Sequence, residues 1–389
     1  MSTNPLAEKA RKLFAEDAAL SYQYNHVLAH GKWDHMMDQT HIGYTYWNEP
    51  PVNAMPAVSW VQPLEGAHMA IAVPGSEFAP DGPFPPLRLP TFDDFNRQTR
   101  SIDIFNRGSH PFDWTAAADQ PWIHLSSNFG RVSDEQRVQV SIDWAKAPVG
   151  RSEGAIVVQQ KGGGAVTVHV AAFNPAKPTR DTLDGFVEAN HYVSIDAAHF
   201  TSATTAGGTR WRNIPNFGET LSGMTLFPVT ARSLLPPKPA PTLEYRMYLF
   251  DSGKVSVQAI LAPTLNFVRG RGLRYAVSFD DLPPVIVDAL ADGSREAWAK
   301  AVSDGVRKVT TMLQVSSPGY HTLKFRMIDP GLVLEKLVLG FANPDASPFP
   351  GMATVTGPSV PPSYLGPPES YHHFTSVTSL ISSASHEVQ

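Results

Sequence analysis

Apolar positions near the start of the chain recur at spacings of four and three. Leu6, Ala10, Leu13, Leu20, Tyr24 and Val27 fall on one stripe, and Asp17 falls among them. That period predicts an amphipathic helix. Asn4 is placed to cap it, Pro5 suits its first turn, and Gly31 suits its end. Asp17 on the apolar stripe needs a polar partner. One helix cannot bury its own face, so it packs on a later domain or is the remnant of a helical domain; residues 1–60 read as a helical segment followed by an aromatic loop.

Further along, the period changes from 3.6 to 2. Val138, Val140, Ile142 and Trp144 alternate with polar residues, as do Val166, Val168 and Val170 after the turn Lys161-Gly162-Gly163-Gly164. Residues 91–174 therefore read as a small β-sandwich. Trp114 and Trp122, like Trp144, are expected in its core. After a short linker at 175–178, residues 179–370 read as a second, larger sandwich of jelly-roll type. Tyr245, Met247 and Leu249 alternate, Asp251-Ser252-Gly253 turns the chain, and Val255, Val257 and Ala259 alternate again, which predicts a β-hairpin. More strands are expected around Leu273–Phe279, Val309–Val315, Leu323–Met327 and Leu332–Leu339, with one or two helical turns over Arg295–Val302. Residues 371–389 are polar and are expected to be a disordered tail.

Composition sharpens this picture. The chain has 389 residues with 35 prolines. Proline clusters at 50–90, 175–178, 236–241 and 344–368, so residues 61–90 read as a Pro/Gly-rich linker. The net charge is −5, which argues against a nucleic-acid partner. There is no cysteine, which excludes disulfides, thiolate nucleophiles and zinc–cysteine sites. No segment reaches the ~18 apolar residues of a membrane helix. The N-terminus lacks the apolar core of a signal peptide. A cytoplasmic protein and a secreted one without its leader both fit.

No phosphate loop, dinucleotide fingerprint or Gly-x-Ser-x-Gly elbow is present. The densest chemistry lies in Lys32–Trp60. Trp33, Asp34, His35, Asp38, His41, Tyr44 and Trp47 combine large aromatics with polar side chains that can fork onto hydroxyls, a sugar-site composition. The same composition suits a loop packed on another domain. Asp34, Asp38 and His41 would share one helical face and could hold a divalent ion or serve as a hydrogen-bonded interface; no metal ligand and no cofactor is assigned. Trp211, between Arg210 and Arg212 after Gly207-Gly208, is a further candidate for carbohydrate contact, or a loop aromatic capping the sandwich. Asp93-Asp94, Asp280-Asp281 and Glu244 are the candidate carboxylates for glycoside hydrolysis, and turn residues are the plainer reading.

Three stretches carry a resemblance. The first is His35-Met36-Met37-Asp38-Gln39-Thr40-His41-Ile42-Gly43-Tyr44, continuing through Trp47, Pro50, Asn53 and Met55-Pro56. The second holds Phe92-Asp93, Asn96-Arg97-Gln98, Ile102-Asp103-Ile104-Phe105-Asn106, Pro111-Phe112, Trp114 and Trp122. The third includes Ile195-Asp196-Ala197, Trp211, Ile214-Pro215, Leu243-Glu244-Tyr245, Arg274-Tyr275-Ala276-Val277-Ser278-Phe279-Asp280 and Asp329-Pro330-Gly331. They resemble the family 115 glycoside hydrolases, the xylan α-1,2-glucuronidases. The resemblance implies the end of a helical domain, a small immunoglobulin-like module and a C-terminal galactose-binding-like module. It implies glucuronoxylan, with its 4-O-methylglucuronic acid branches, as the substrate class. The family's catalytic barrel matches nothing here, so no catalytic residue is carried over. The expected role is a non-catalytic accessory region for domain packing, oligomerisation or glucuronoxylan contact. Its partners would be a polysaccharide or oligosaccharide, a barrel on another chain, or a second copy. A stand-alone carbohydrate-binding protein and an active glycoside hydrolase are the alternatives.

Overall fold

The computed structural model describes residues 3–74, 87–341, 358 and 360–366. The expected tail, 371–389, lies outside the described residues. As the period-two segments predict, the protein is mainly β with an N-terminal helix. No helix among the described residues is long and apolar enough to cross a membrane. The chain divides into two units: Met1–Leu89, Thr99–Asp143 and Glu153–Val170 form the first, and Pro90–Gln98, Trp144–Ser152 and Ala171–Gln389 the second. The expected 91–174 domain thus draws on both.

Helix α1 (Thr3–Tyr22) opens the first unit and passes through a π-turn at Gln23–Val27 and a 3₁₀ turn at Leu28–Gly31. The predicted helix therefore stops being α-helical well before Gly31. Asn4 is not its cap. It lies inside the helix, donating to the Val61 carbonyl at 2.7 Å and accepting from the Val61 N–H at 2.8 Å. The stripe is exposed: Leu6 is 61% and Leu20 66% accessible. Asp17 has the polar partner it needed, His41, whose Nε2 sits 3.0 Å from Oδ1.

Ten strands follow: β1 (Met69–Ala72), β2 (Leu87–Arg88), β3 (Phe92–Asp93), β4 (Arg100–Asn106), β5 (Phe112–Ala118), β6 (Ile123–Leu125), β7 (Phe129–Val132), β8 (Glu135–Ile142), β9 (Gly150–Gln160) and β10 (Ala165–Asn174). One sheet has the order β1-β4-β8-β6 and the other β2-β10-β9-β5-β7. The described part of the expected linker, 61–74 and 87–90, carries paired strand. The run Met69–Ala72 pairs with β4, and Leu64 bridges Gly108. Ala70, Ile71 and Val73 are buried, so this short apolar run between prolines is core. Trp114 and Trp122 are buried as expected, and Trp114 donates to Gln136 Oε1 at 3.1 Å. Trp144 is half-buried and lies beyond the end of β8.

The second unit adds β11 (Phe186–Val187), β12 (Tyr192–Asp196), β13 (Ser202–Thr204), β14 (Arg210–Pro215), β15 (Ser222–Phe227), β16 (Thr242–Leu249), β17 (Gly253–Leu261), β18 (Arg274–Phe279), β19 (Val285–Asp288), β20 (Arg307–Val315), β21 (Gly319–Met327) and β22 (Leu334–Phe341). Helix α2 (Arg295–Ser303) precedes β20. One sheet runs β11-β16-β21-β18-β19, with β13 on β16. The other runs β14-β15-β22-β17-β20, with β12 on β22. Their inner faces share one core that includes Tyr245, Met247, Val255, Val257, Tyr275, Phe325 and Leu337. Tyr275 and Phe325 stack at 4.9 Å.

The predicted hairpin at Asp251–Gly253 is not formed. β16 pairs with β21, whereas β17 pairs with β20 and β22. The turn carries the chain from one sheet to the other. Both strands keep their apolar faces inward, so alternation is the same in either arrangement.

Glu335 lies on β22 at 0% exposure. Its Oε2 accepts the Glu219 N–H at 3.1 Å, and Oε1 has no hydrogen-bond partner. Burial, reinforced by the neighbouring Glu219 charge, pushes its pKa up from the ordinary 4.5 to about 7. The folded state then keeps a proton that the unfolded state releases between those values. Stability therefore falls as pH rises from about 4.5 to about 7 and is level above, a loss of roughly 3 kcal/mol from this group. Glu335→Gln removes that loss. Urea unfolding at pH 5 and pH 8 should give a decline smaller by about 2.5 kcal/mol in the variant, and equal declines in the two proteins would contradict it.

Candidate functional site

The seven N-terminal candidates are all exposed. Residues Lys32–Met37 form turns rather than a helix, so Asp34, Asp38 and His41 do not share a helical face. The left-handed φ of 65° at His35 breaks that periodicity. His35 Nδ1 meets Asp38 Oδ2 at 2.5 Å, Asp34 reaches His26 at 3.3 Å, and Asn25 donates to Asp38 at 2.7 Å. The Asp38 hydrogen bond, then the Asp34 charge, raises the pKa of His35; Asp17 and the Gln39 carbonyl raise that of His41. Lys32 Nζ lies 4.9 Å from the Trp33 ring, the Tyr44 hydroxyl donates to the Thr40 carbonyl at 3.4 Å, and Trp47 sits beside Tyr46. These contacts are local, and they fasten turns.

Trp211 is not a surface contact. It lies in β14 at 5% exposure, within the core, and Nε1 donates to the Thr204 carbonyl at 2.9 Å. The glycine pair before it ends a turn, and the ring then enters the sheet on its inner face.

The candidate carboxylates are also structural. Asp93 is buried and accepts from the Asn96 N–H at 2.7 Å and from the side chains of Asn96 and Gln98. Asp280, at φ 49°, accepts from the Thr322 N–H and pairs with His321 at 2.8 Å. Glu244 accepts from the Ser202 hydroxyl.

An open groove of about 520 Å³ lies elsewhere in the second unit. The loop 265–274 supplies one side, and Asp288 to Arg307 the other. Its polar lining includes Asn266, Arg271, Arg274, Asp288, Asp292 and Arg307, with Trp298 of α2 as the aromatic. The scaffold holds these groups firmly. Arg274 forks onto the fully buried Asp329, Nε to Oδ2 at 2.8 Å and Nη2 to Oδ1 at 3.2 Å. This pairing raises the Arg274 pKa. Arg271 donates to the carbonyls of Ala231 and Pro330. Asp288 Oδ1 accepts from the Leu290 N–H at 2.9 Å. A Cβ on Gly272, whose φ is +79°, would sit 2.9 Å from Asp288 Oδ2, so this loop position needs glycine. Ser294 caps α2 through the Ala297 N–H and so sets where Trp298 falls. Hydrogen bonds from Ser294, with Arg307 nearby, hold Asp292 below the usual carboxylate range.

Two guanidinium donors in this groove, Arg271 Nε and Arg307 Nε, are buried without an acceptor. A half-buried tryptophan beside forked carboxylates, an amide and guanidinium groups can stack on a pyranose face and bond its hydroxyls. The sequence carries a signal for it, the run Arg269-Gly270-Arg271-Gly272-Leu273-Arg274, which is a basic loop freed by glycines.

A second cluster was also unforeseen. Glu188, His191 and Asp251 bring one potential ligand atom each within 4.8 Å of the others. Glu188 is buried, and burial together with contact to Asp251 pushes its carboxyl up to about 8.

Comparison with known proteins gives the following. Residues 185–369 match the family model of the glycosyl hydrolase family 115 C-terminal domain. No curated protein matches the chain. Among solved structures, a family GH115 4-O-methyl-α-glucuronidase with specificity for decorated arabinogalactans aligns at 18% identity and TM-score 0.29. The alignment covers 44% of this chain and 19% of that one. A carbohydrate-binding module from Cellvibrio mixtus lichenase 5A, in complex with cellotriose, aligns at 13% identity and TM-score 0.25, over 39% of this chain and 97% of the module. A family 35 carbohydrate-binding module from Clostridium thermocellum aligns at 12% identity and TM-score 0.26, over 39% of this chain and 98% of the module.

Proposed function

We propose that this chain, whose residues 185–369 form a glycosyl hydrolase family 115 C-terminal domain, is a non-catalytic accessory region that contacts glucuronoxylan. The observation that carries this reading is the groove lined by Trp298, Asn266, Asp288, Asp292 and three arginines. Its volume falls in the ordinary range for ligand sites, about 300–1,000 Å³. The ring of Trp298 supplies the stacking face. The arginines suit the carboxylate of a glucuronic acid branch, because a guanidinium forks onto two oxygens. The role is non-catalytic, which fits the hydrogen bonds that tie the candidate carboxylates Asp93, Asp280 and Glu244 into turns and strand ends.

Affinity electrophoresis in glucuronoxylan tests this. The protein should be retarded, and Trp298→Ala should bind about tenfold more weakly, near 1.4 kcal/mol, with its thermal unfolding unchanged. Equal mobility of both proteins with and without polysaccharide sinks the reading. Release of glucuronic acid from aldouronic acids by the purified chain sinks its non-catalytic part.

A second reading, domain packing or self-association, draws on the exposed side chains Leu6, Leu13, Leu20 and Val27 of the N-terminal segment. Apolar stripes of this kind usually have a partner.

A further inference from the structure

Glu188, His191 and Asp251 have no place in the glycan reading, and none of them lines the groove. Glu188 follows β11. Asn190 and His191 take left-handed φ values of 52° and 63°, which reverses the chain into β12. Asp251 lies on the crossing from β16 to β17. Glu188 Oε2 accepts the N–H groups of Phe250 and Asp251 at 2.8 and 2.9 Å, which fastens the two turns together. His191 Nδ1 lies 2.5 Å from Asp251 Oδ2. Phe341 of β22 donates to the His191 carbonyl at 2.9 Å. The backbone on both sides is therefore fixed.

The charges do not balance. Glu188 is buried, its Oε2 accepts the Asp251 N–H at 2.9 Å, and its carboxyl lies within 4.8 Å of that of Asp251. Among the described residues, no lysine or arginine pairs with either carboxylate, and the basic group present is the His191 imidazole. With both carboxyls ionised, the cluster is net negative even when the imidazole is protonated. A buried pair of this kind needs a further cation, either a shared proton or a metal. The donor set is one imidazole nitrogen and carboxylate oxygens. That set suits zinc and its neighbours better than calcium or magnesium, which prefer oxygen alone.

We propose that Glu188, His191 and Asp251 bind one divalent transition-metal ion of the zinc class. Tetrahedral zinc with bonds near 2.0–2.2 Å sets its ligand atoms about 3.3 Å apart. The present contacts, from 2.5 Å to at most 4.8 Å, reach that spacing by small side-chain rotations. His191 and Asp251 are partly exposed, which leaves a fourth position to water. The ion takes the place of protons on the cluster, so binding releases them. It joins the turn between β11 and β12 to the crossing between β16 and β17, and each of these passes from one sheet to the other. Its role is to staple these two crossings together.

The test is isothermal titration of the metal-stripped full chain with Zn²⁺, alongside thermal unfolding and Co²⁺ absorption. One equivalent should bind and raise the unfolding temperature. Glu188→Gln and Asp251→Asn should each weaken binding at least about tenfold. His35→Ala, in the exposed N-terminal cluster, should bind as the parent does. Nitrogen-edited NMR of the parent protein gives a reading that no variant's folding can spoil: the His191 imidazole signals should shift on adding Zn²⁺. The absence of stoichiometric binding overturns the proposal. So does loss of binding in His35→Ala, or stabilisation by Ca²⁺ equal to that by Zn²⁺.

Discussion

Trp211→Ala should destabilise the second unit by about 3–5 kcal/mol, the range for deleting a large buried aromatic. The ring is 5% exposed in a core shared by both sheets, and Leu226 opposite it on β15 is equally enclosed. Truncation leaves a cavity that sheet-bound neighbours cannot fill by shifting. It also strands the Thr204 carbonyl that now accepts from Nε1. Urea unfolding followed by tryptophan fluorescence measures the loss. A change below about 1 kcal/mol together with weakened glycan binding would restore Trp211 as a surface contact. The sequence suggested that contact because two arginines flank the ring, yet on a strand the flanking side chains point the opposite way.

Asp329→Ala should cost about 3–5 kcal/mol as well, for a different reason. Asp329 is fully buried and accepts from Arg274 three times: from the backbone N–H and Nε at 2.8 Å, and from Nη2 at 3.2 Å. Removing the carboxylate leaves a guanidinium mostly out of water, with only the weaker influence of Asp288 to balance it. Arg274 lines the groove, so this variant should lose glycan retardation along with stability. Asp329→Asn keeps an acceptor for one donor and should lose less than half as much. Unfolding free energies for the two variants decide the matter; equal and small losses would show that the pair does not hold the groove.

Much of the fold was legible because burial imposes a period. Strands β20 and β21 alternate where their apolar residues do, and α2 covers the segment read as one or two helical turns. What alternation cannot supply is the partner of a strand. The Asp251–Gly253 turn has hairpin chemistry, yet it crosses between sheets, because in a sandwich both arrangements bury the same residues. Residues 61–90 read as linker because their prolines outweigh the five-residue run Met69–Val73. In the N-terminal segment the stripe was visible. The π-turn at Gln23–Val27 was not, since it reflects Asn25 bonding to Met37 and Asp38, contacts made across a turn.

The candidate sites were the least legible part. Local density of aromatic and acidic residues pointed to Trp33–Trp47, where the structure shows turns fastened by short-range bonds. The groove is assembled from a basic loop, the end of β19, a helix and the start of β20. The Glu188 cluster joins residues about sixty positions apart. Distance along the chain hides both, and the long-range pairing of strands creates both.

The most direct measurement is the indole NMR spectrum, in which each of the eight tryptophans gives one side-chain signal. Titration with an aldouronic oligosaccharide should shift the Trp298 signal saturably and leave the buried Trp211 unmoved. A spectrum in which Trp298 does not move, or in which Trp33 and Trp47 move in its place, contradicts the account.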